Sequence, residues 1–416
     1  MIRRIICVFL AAAIGSAALT SCVGKREPGD DTDYHGGQNT TADTGEGHGN
    51  DGMNTPGDAI YGDTLDDPGK VEVRTHEPRD YIKGSIACEW ESTVFYWSRS
   101  RNSAGILYQD VNSPASSGIL LYGDVLVGED GNPFARSDGV SWMLVDERAT
   151  VENGGVPVLL LAIGYTSIVG EGADTHRVGS YEIGEFDMLT NKWTVITSGA
   201  DDVMQLALYR DTVFYITFGG GDEGYTLECC DRSGGGHKKL STTAPTTLRL
   251  GYVYDDTVYY VDERTFSVYT CSLDLSEPKL MFDDQYHPII DTISDGYIYY
   301  SAWTDEFGGV SEYFRRNLSA PDNAEFISDN ATVELHYGHL YGFGDDDGRM
   351  ICEYDPETGA LQRVLSDISG RDDIDKSIIA IAETYIICDV SYDSDRDMKH
   401  LTCIDLSSGK EWKVPL

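Results

Sequence analysis

The chain has 416 residues, and its 70 Asp and Glu against 31 Lys and Arg leave a formal net charge of -39. A field of that sign repels phosphate backbones and anionic surfaces, which excludes nucleic acid as a partner and favours cations, basic proteins or neutral ligands. With 41% hydrophobic residues, the chain has ample material for a large core.

Arg3 and Arg4, an apolar run over residues 5–15 and small residues up to Cys22 have the layout of a secretory signal. The run is too short to span a bilayer, which takes about 20 apolar residues. Leu19, Thr20, Ser21 and Cys22 resemble the lipobox of bacterial lipoproteins. That resemblance, confined to the first 22 residues, implies cleavage before Cys22, acylation of its sulfur and a tether to the cell membrane outside the cytoplasm. Two or more acyl chains anchor stably. The plain alternative is a signal peptide with a chance cysteine at the junction.

Residues 23–78 are rich in Asp, Gly, Thr and Asn and offer almost nothing apolar to offset the entropy of ordering. They read as a disordered linker, reaching roughly 40 Å end to end at about 5–6 Å times the square root of its length. Residues 23–80 hold 14 acidic and 5 basic side chains, -9 of the total -39, so the body beyond is itself strongly acidic. The expected division is therefore a signal at 1–21, the lipidated cysteine and linker at 22–78, and a folded body at 79–416.

In the body, β-branched and aromatic runs recur, each just after a turn: ESTVFYW, NGGVPVLLLA, RDTVFYI, DDTVYYV, DGYIYYS, YGHLYGF and ETYIICD. Val94, Val158, Val213, Val258, Ile298, Leu340 and Ile386 anchor them, at spacings of 64, 55, 45, 40, 42 and 46 residues. A second signal follows each anchor: a hydrophobic pair, then a turn led by Asp110, Asp187, Asp231, Asp274, Asn317, Asp355 or Asp405. The interval is 15–19 residues except in the second unit, where 29 implies an inserted loop. Asp and Asn cap such turns with their own side chains. Helical periodicity is nearly absent.

Each unit thus reads as strand A, tight turn, strand B, variable loop, strand C, Asp-led turn, strand D. A period near 40–45 residues is that of a four-stranded propeller blade. The predicted fold is an all-β propeller of seven four-stranded blades, with six or eight as alternatives and a pair of β-sandwiches as the runner-up architecture. The runs FYWSRS and YYVDE resemble the repeats of YWTD and TolB-like propellers, and YDPETGA resembles the turns of PQQ-type and kelch-type blades. Over residues 80–416 the chain is similar to propeller lipoproteins of Gram-positive anaerobes, which implies an extracytoplasmic interaction domain and carries no catalytic residue across.

No Gly-x-Ser-x-Gly elbow, HExxH or Walker loop occurs. The B-to-C loops vary and are mostly acidic, and variable loops on a rigid scaffold are where binding evolves. Trp303, followed by Asp305 and Glu306, suits a sugar or a basic side chain if exposed, against the alternative of a Trp folded back onto the ring. Asp222 and Glu223 lie in an equivalent loop. Asp393, Asp395 and Asp397 have a calcium-like spacing, but Met398 stands where such a loop wants Gly, so a solvated hairpin competes with a calcium site. No other cofactor is implied. His336 and His339 straddle a turn that should point them apart. Trp142, Trp193 and Trp412 should pack between blades. Seven body cysteines have no CxxC spacing, and most read as buried small hydrophobes, although Cys388 and Cys403 lie on adjacent strands where a bridge is possible. The functional expectation is a monomeric, membrane-tethered binding module for a peptide, protein or glycan. The alternatives are a hydrolase or lyase acting on an extracellular polymer and an envelope-assembly scaffold.

Overall fold

The structure is a computed structural model that describes residues 78–414 except 92, 100–103, 111–118, 122–138, 170–175, 191, 220–223, 241–246, 285–286, 304–310, 330–333, 337, 345–349, 369–373, 383 and 393–394. The signal segment, Cys22 and the linker up to residue 77 lie outside the described residues.

Seven antiparallel sheets follow one another along the chain, at residues 87–121, 139–200, 202–239, 248–283, 289–328, 334–367 and 374–414. In each, strands A to D lie side by side in sequence order. All seven anchor residues fall in strand B and are buried. Strand B is apolar on both faces because each sheet is covered on both sides, so the period-2 alternation divides its residues between two cores. In sheet 3, Val213 and Tyr215 enter the core shared with sheet 2, while Phe214 and Ile216 enter the core shared with sheet 4.

Such shared cores run from each sheet to the next. The circuit closes where Ala87, Val94 and Tyr96 of sheet 1 meet Tyr385, Ile387 and Cys403 of sheet 7. The molecule is a β-propeller. The expectation of seven four-stranded blades is not matched: six sheets have that form, and sheet 3 has five strands because Tyr81–Lys83 pairs with the free edge of its strand A.

Turn chemistry follows the sequence closely. Asp255 and Asp256, with φ of 48° and 58°, and Asp295 and Gly296, with φ of 52° and 79°, make the left-handed A-to-B turns that match strand twist. In the C-to-D turns, Asp187, Asp274, Asn317, Asp355 and Asp405 accept backbone N–H groups two or three residues on. Sheet 2 departs from the template twice. Its A-to-B connection holds a helix, Glu147–Glu152, capped by Asp146, which accepts the Ala149 N–H at 2.9 Å. Its long unit is not simply a loop insertion: Val158–Val169 and His176–Asp187 stay paired throughout, and their far ends run past the neighbouring strands as a two-stranded extension.

The pairing also settles the cysteines. Cys388 stands opposite Thr402 and Cys403 opposite Ile387. One residue of offset turns the two thiols to opposite faces, Cys388 toward sheet 6 and Cys403 toward sheet 1, and no bridge joins them. Trp142 packs between sheets 2 and 3, donating to Val203 O at 3.1 Å, and Trp193 packs between sheets 1 and 2. The Trp412 side chain is outside the described set.

Candidate functional site

B-to-C loops and the links between successive sheets share one face of the ring. On it, three rings from separate segments of sheets 4 and 5 stack in a row. Phe266 closes the B-to-C turn of sheet 4 with φ of 57°, His287 lies in the link to sheet 5, and Trp303 ends strand B of sheet 5. His287 lies 4.1 Å from the Phe266 centroid and 4.3 Å from that of Trp303, tilted to both. All three are half-buried, so the row presents an apolar ledge beside acidic sequence. Trp303 thus turns back onto the ring and rests on His287, while keeping part of its surface exposed.

The ledge rests on a fixed base. Asp262 accepts the Arg264 N–H at 3.0 Å and shapes the turn that presents Phe266, whose carbonyl accepts the Asp284 N–H at 3.0 Å. Asp284 Oδ2 in turn accepts the Tyr300 hydroxyl at 2.9 Å and Arg316 Nη2 at 3.1 Å. Arg316 is buried, donates also to Tyr300 Oη and Pro321 O at 2.7 Å, and lies 4.2 Å over the Phe282 ring. Such a satisfied network fixes geometry where a partial one would cost stability.

An ion pair lies beside the ledge. Arg249 Nε donates to Glu263 Oε1 at 2.8 Å, and both are partly exposed. Burial holds the His287 pKa below its ordinary value, with Arg249 adding to the effect and Glu263 opposing it, so the ring is neutral at pH 7. A half-exposed stack flanked by polar groups can receive a flat apolar ligand face and bond its rim.

Of the described residues singled out from sequence, Trp303 alone enters this arrangement. Asp305, Glu306, Asp222, Glu223 and Asp393 lie outside the described residues. Asp395 and Asp397 fall within the strand Asp395–Asp405, where the pairing with strand B is irregular between Tyr392↔Asp395 and Val390↔His400. Among the described residues, no three or more His, Cys, Asp or Glu gather as a metal site would require. His336 and His339 pair across their turn, and His339 Nδ1 lies 2.7 Å from Glu353 Oε1, a carboxylate also held by Arg363.

A convergent pair of carboxylates does occur, on the opposite face. Asp146 and Glu185 both contact Arg232 Nε, the former at 3.0 Å, and burial pushes the Asp146 pKa up. Asp146 is 1% exposed and spends its other oxygen on the helix cap, so a substrate cannot reach it. The cluster is structural.

Among the described residues, no helix is long and apolar enough to cross a membrane. No family model and no curated protein matches the sequence. Solved structures do match. A structure of prolyl endopeptidases aligns with 82% of this chain and 49% of its own, at 12% identity and a TM-score of 0.50. The nidogen/laminin complex aligns with 55% of this chain and 88% of its own, at 11% identity and a TM-score of 0.35. Protein lmo1340 of Listeria monocytogenes EGD-e aligns over 62% and 79%, at 10% identity and a TM-score of 0.43. At 12% identity the likeness to the prolyl endopeptidases is one of fold alone, and that fold is the β-propeller.

Proposed function

We propose that this chain is a membrane-tethered extracytoplasmic binding module whose propeller takes a glycan, peptide or protein on the face that carries Phe266, His287 and Trp303. In this reading the five-stranded sheet is itself a blade, and Cys22 is the lipidated N-terminus. One observation carries the binding face: three rings from separate segments are held on a satisfied polar base and left half-exposed. The direction of the chain supports it. Tyr81 stands opposite Tyr209, next to the A-to-B turn of sheet 3, so the chain reaches the ring from the face opposite the ledge. A tether leaving there keeps the ledge clear of the anchor. The buried state of Asp146 weighs against the hydrolase or lyase alternative at that cluster.

Glycan and peptide arrays probed with residues 23–416, with and without calcium, test this reading. Trp303→Ala should weaken the best ligand about tenfold or more, which is about 1.4 kcal/mol. Equal binding by the variant, or silence on every array, counts against the ledge. Cys22→Ser should abolish incorporation of a labelled fatty acid and release the protein from membranes; retained labelling contradicts the anchor.

A further inference from the structure

We propose that residues 79–86 are the clasp that closes the ring. This goes beyond the binding reading and does not depend on it. Among the described residues, sheets 1 and 7 exchange no strand, since each is built from its own four consecutive segments. Side chains pack across the seam between them, and the Thr384 N–H donates to Glu89 Oε2 at 3.1 Å. The main-chain link that strand exchange would supply comes instead from the N-terminal arm.

The arm follows the inner edges of neighbouring sheets. Tyr81, Ile82 and Lys83 pair with Tyr209, Leu208 and Ala207 on the inner edge of sheet 3, and the Gly84 N–H donates to Leu206 O at 2.7 Å. Ser85 then exchanges both backbone hydrogen bonds with Met143 of sheet 2, at 2.9 and 2.6 Å. Its hydroxyl donates to Ile379 O of sheet 7 at 2.9 Å, and the Tyr81 hydroxyl reaches Gly251 O of sheet 4 at 3.4 Å. Ile379 and Gly251 sit where their strands skip a residue in register, and a bulge leaves such a residue without its ladder partner. The arm uses those two carbonyls. A single short segment thus bonds the inner strands of sheets 2, 3, 4 and 7 and runs on covalently into sheet 1.

At its N-terminal end the arm is held by charge. The Arg79 N–H and Nε donate to the two oxygens of Glu147, at 2.7 and 2.6 Å, and that carboxylate is 1% exposed. Asp80 pairs with Arg148 and Arg210, and Arg210 pairs on with Asp256.

Gly84 provides the test, because a Cβ there would stand 2.9 Å from Leu206 O. In the full chain, Gly84→Val should loosen the arm, and hydrogen exchange should show more than the arm responding. Amides of residues 87–90 and 374–384, the two sides of the seam, should exchange at least tenfold faster, while sheets 4 to 6 keep their protection. Ser85→Ala, which loses only the bond to Ile379, should raise exchange at the same seam by a smaller factor, about threefold. Faster exchange confined to residues 79–86, or an unchanged seam in both variants, overturns the proposal. If Gly84→Val does not fold, Ser85→Ala decides alone: an unchanged seam refutes the clasp.

Discussion

His287 carries a pH signature. Its folded-state pKa lies below the ordinary 6.5 because burial and Arg249 disfavour the imidazolium. As pH falls through 6.5 the unfolded chain takes up a proton that the native state refuses, so native stability is lost until the lowered pKa is reached. Above 6.5 both states are neutral and the contribution is complete. Urea unfolding at pH 7.5 and pH 5.0 should therefore show a smaller loss on acidification in His287→Phe than in the parent chain. A difference between the two proteins that stays constant across that range would contradict the assignment. This residue also shows why the ledge was only partly legible in the sequence. Trp303 drew notice as a large aromatic in a variable loop, but Phe266 and His287 lie 37 and 16 residues earlier in the sequence. Nothing local in DERTF or QYHPI marks either as its neighbour, because the contact exists only once two sheets have packed together.

Among the elements, the Asp-led turns were the most readable feature, since the capping side chain and the backbone it caps are near neighbours in sequence. Asp405 shows the working form. One of its oxygens accepts the Ser408 N–H at 2.6 Å and the hydroxyls of Ser407 and Ser408 at 2.6 and 2.8 Å, and the residue is 3% exposed. Asp405→Ala should cost about 1–2 kcal/mol in urea unfolding, the scale of a lost cap. Ser407→Ala, which removes one of three bonds, should cost less; equal costs would show that the carboxylate is not the organiser. The elements that escaped were short. Helix Glu147–Glu152 is too brief to display a 3.6-residue period, and Tyr81–Lys83 is three residues whose pairing partner lies over 120 positions away. The latter is also why a four-stranded template failed at sheet 3. The long unit of sheet 2 was visible as a spacing, and its form as paired strand was not.

For the whole molecule, the cysteines serve as reporters. Those of sheets 3, 4, 6 and 7 are all buried. Burial pushes the Cys230 thiol up to about 11 and those of Cys229 and Cys271 to about 12, so at pH 8 almost none of these three is the reactive thiolate. Ellman's reagent should therefore label them at least a hundredfold more slowly than a free thiol, until denaturant opens the ring. Mass spectrometry should then find Cys230, Cys271 and Cys403 labelled over the same denaturant range if the sheets open together. Early labelling of Cys403 by itself would place the first opening at the seam.

The course of the arm decides how the protein responds to being pulled. A load on its N-terminal end acts along Tyr81–Lys83, parallel to the strand those residues pair with, so their hydrogen bonds bear it in shear and together. The ring meets traction first at sheet 3, ahead of the seam between sheets 1 and 7.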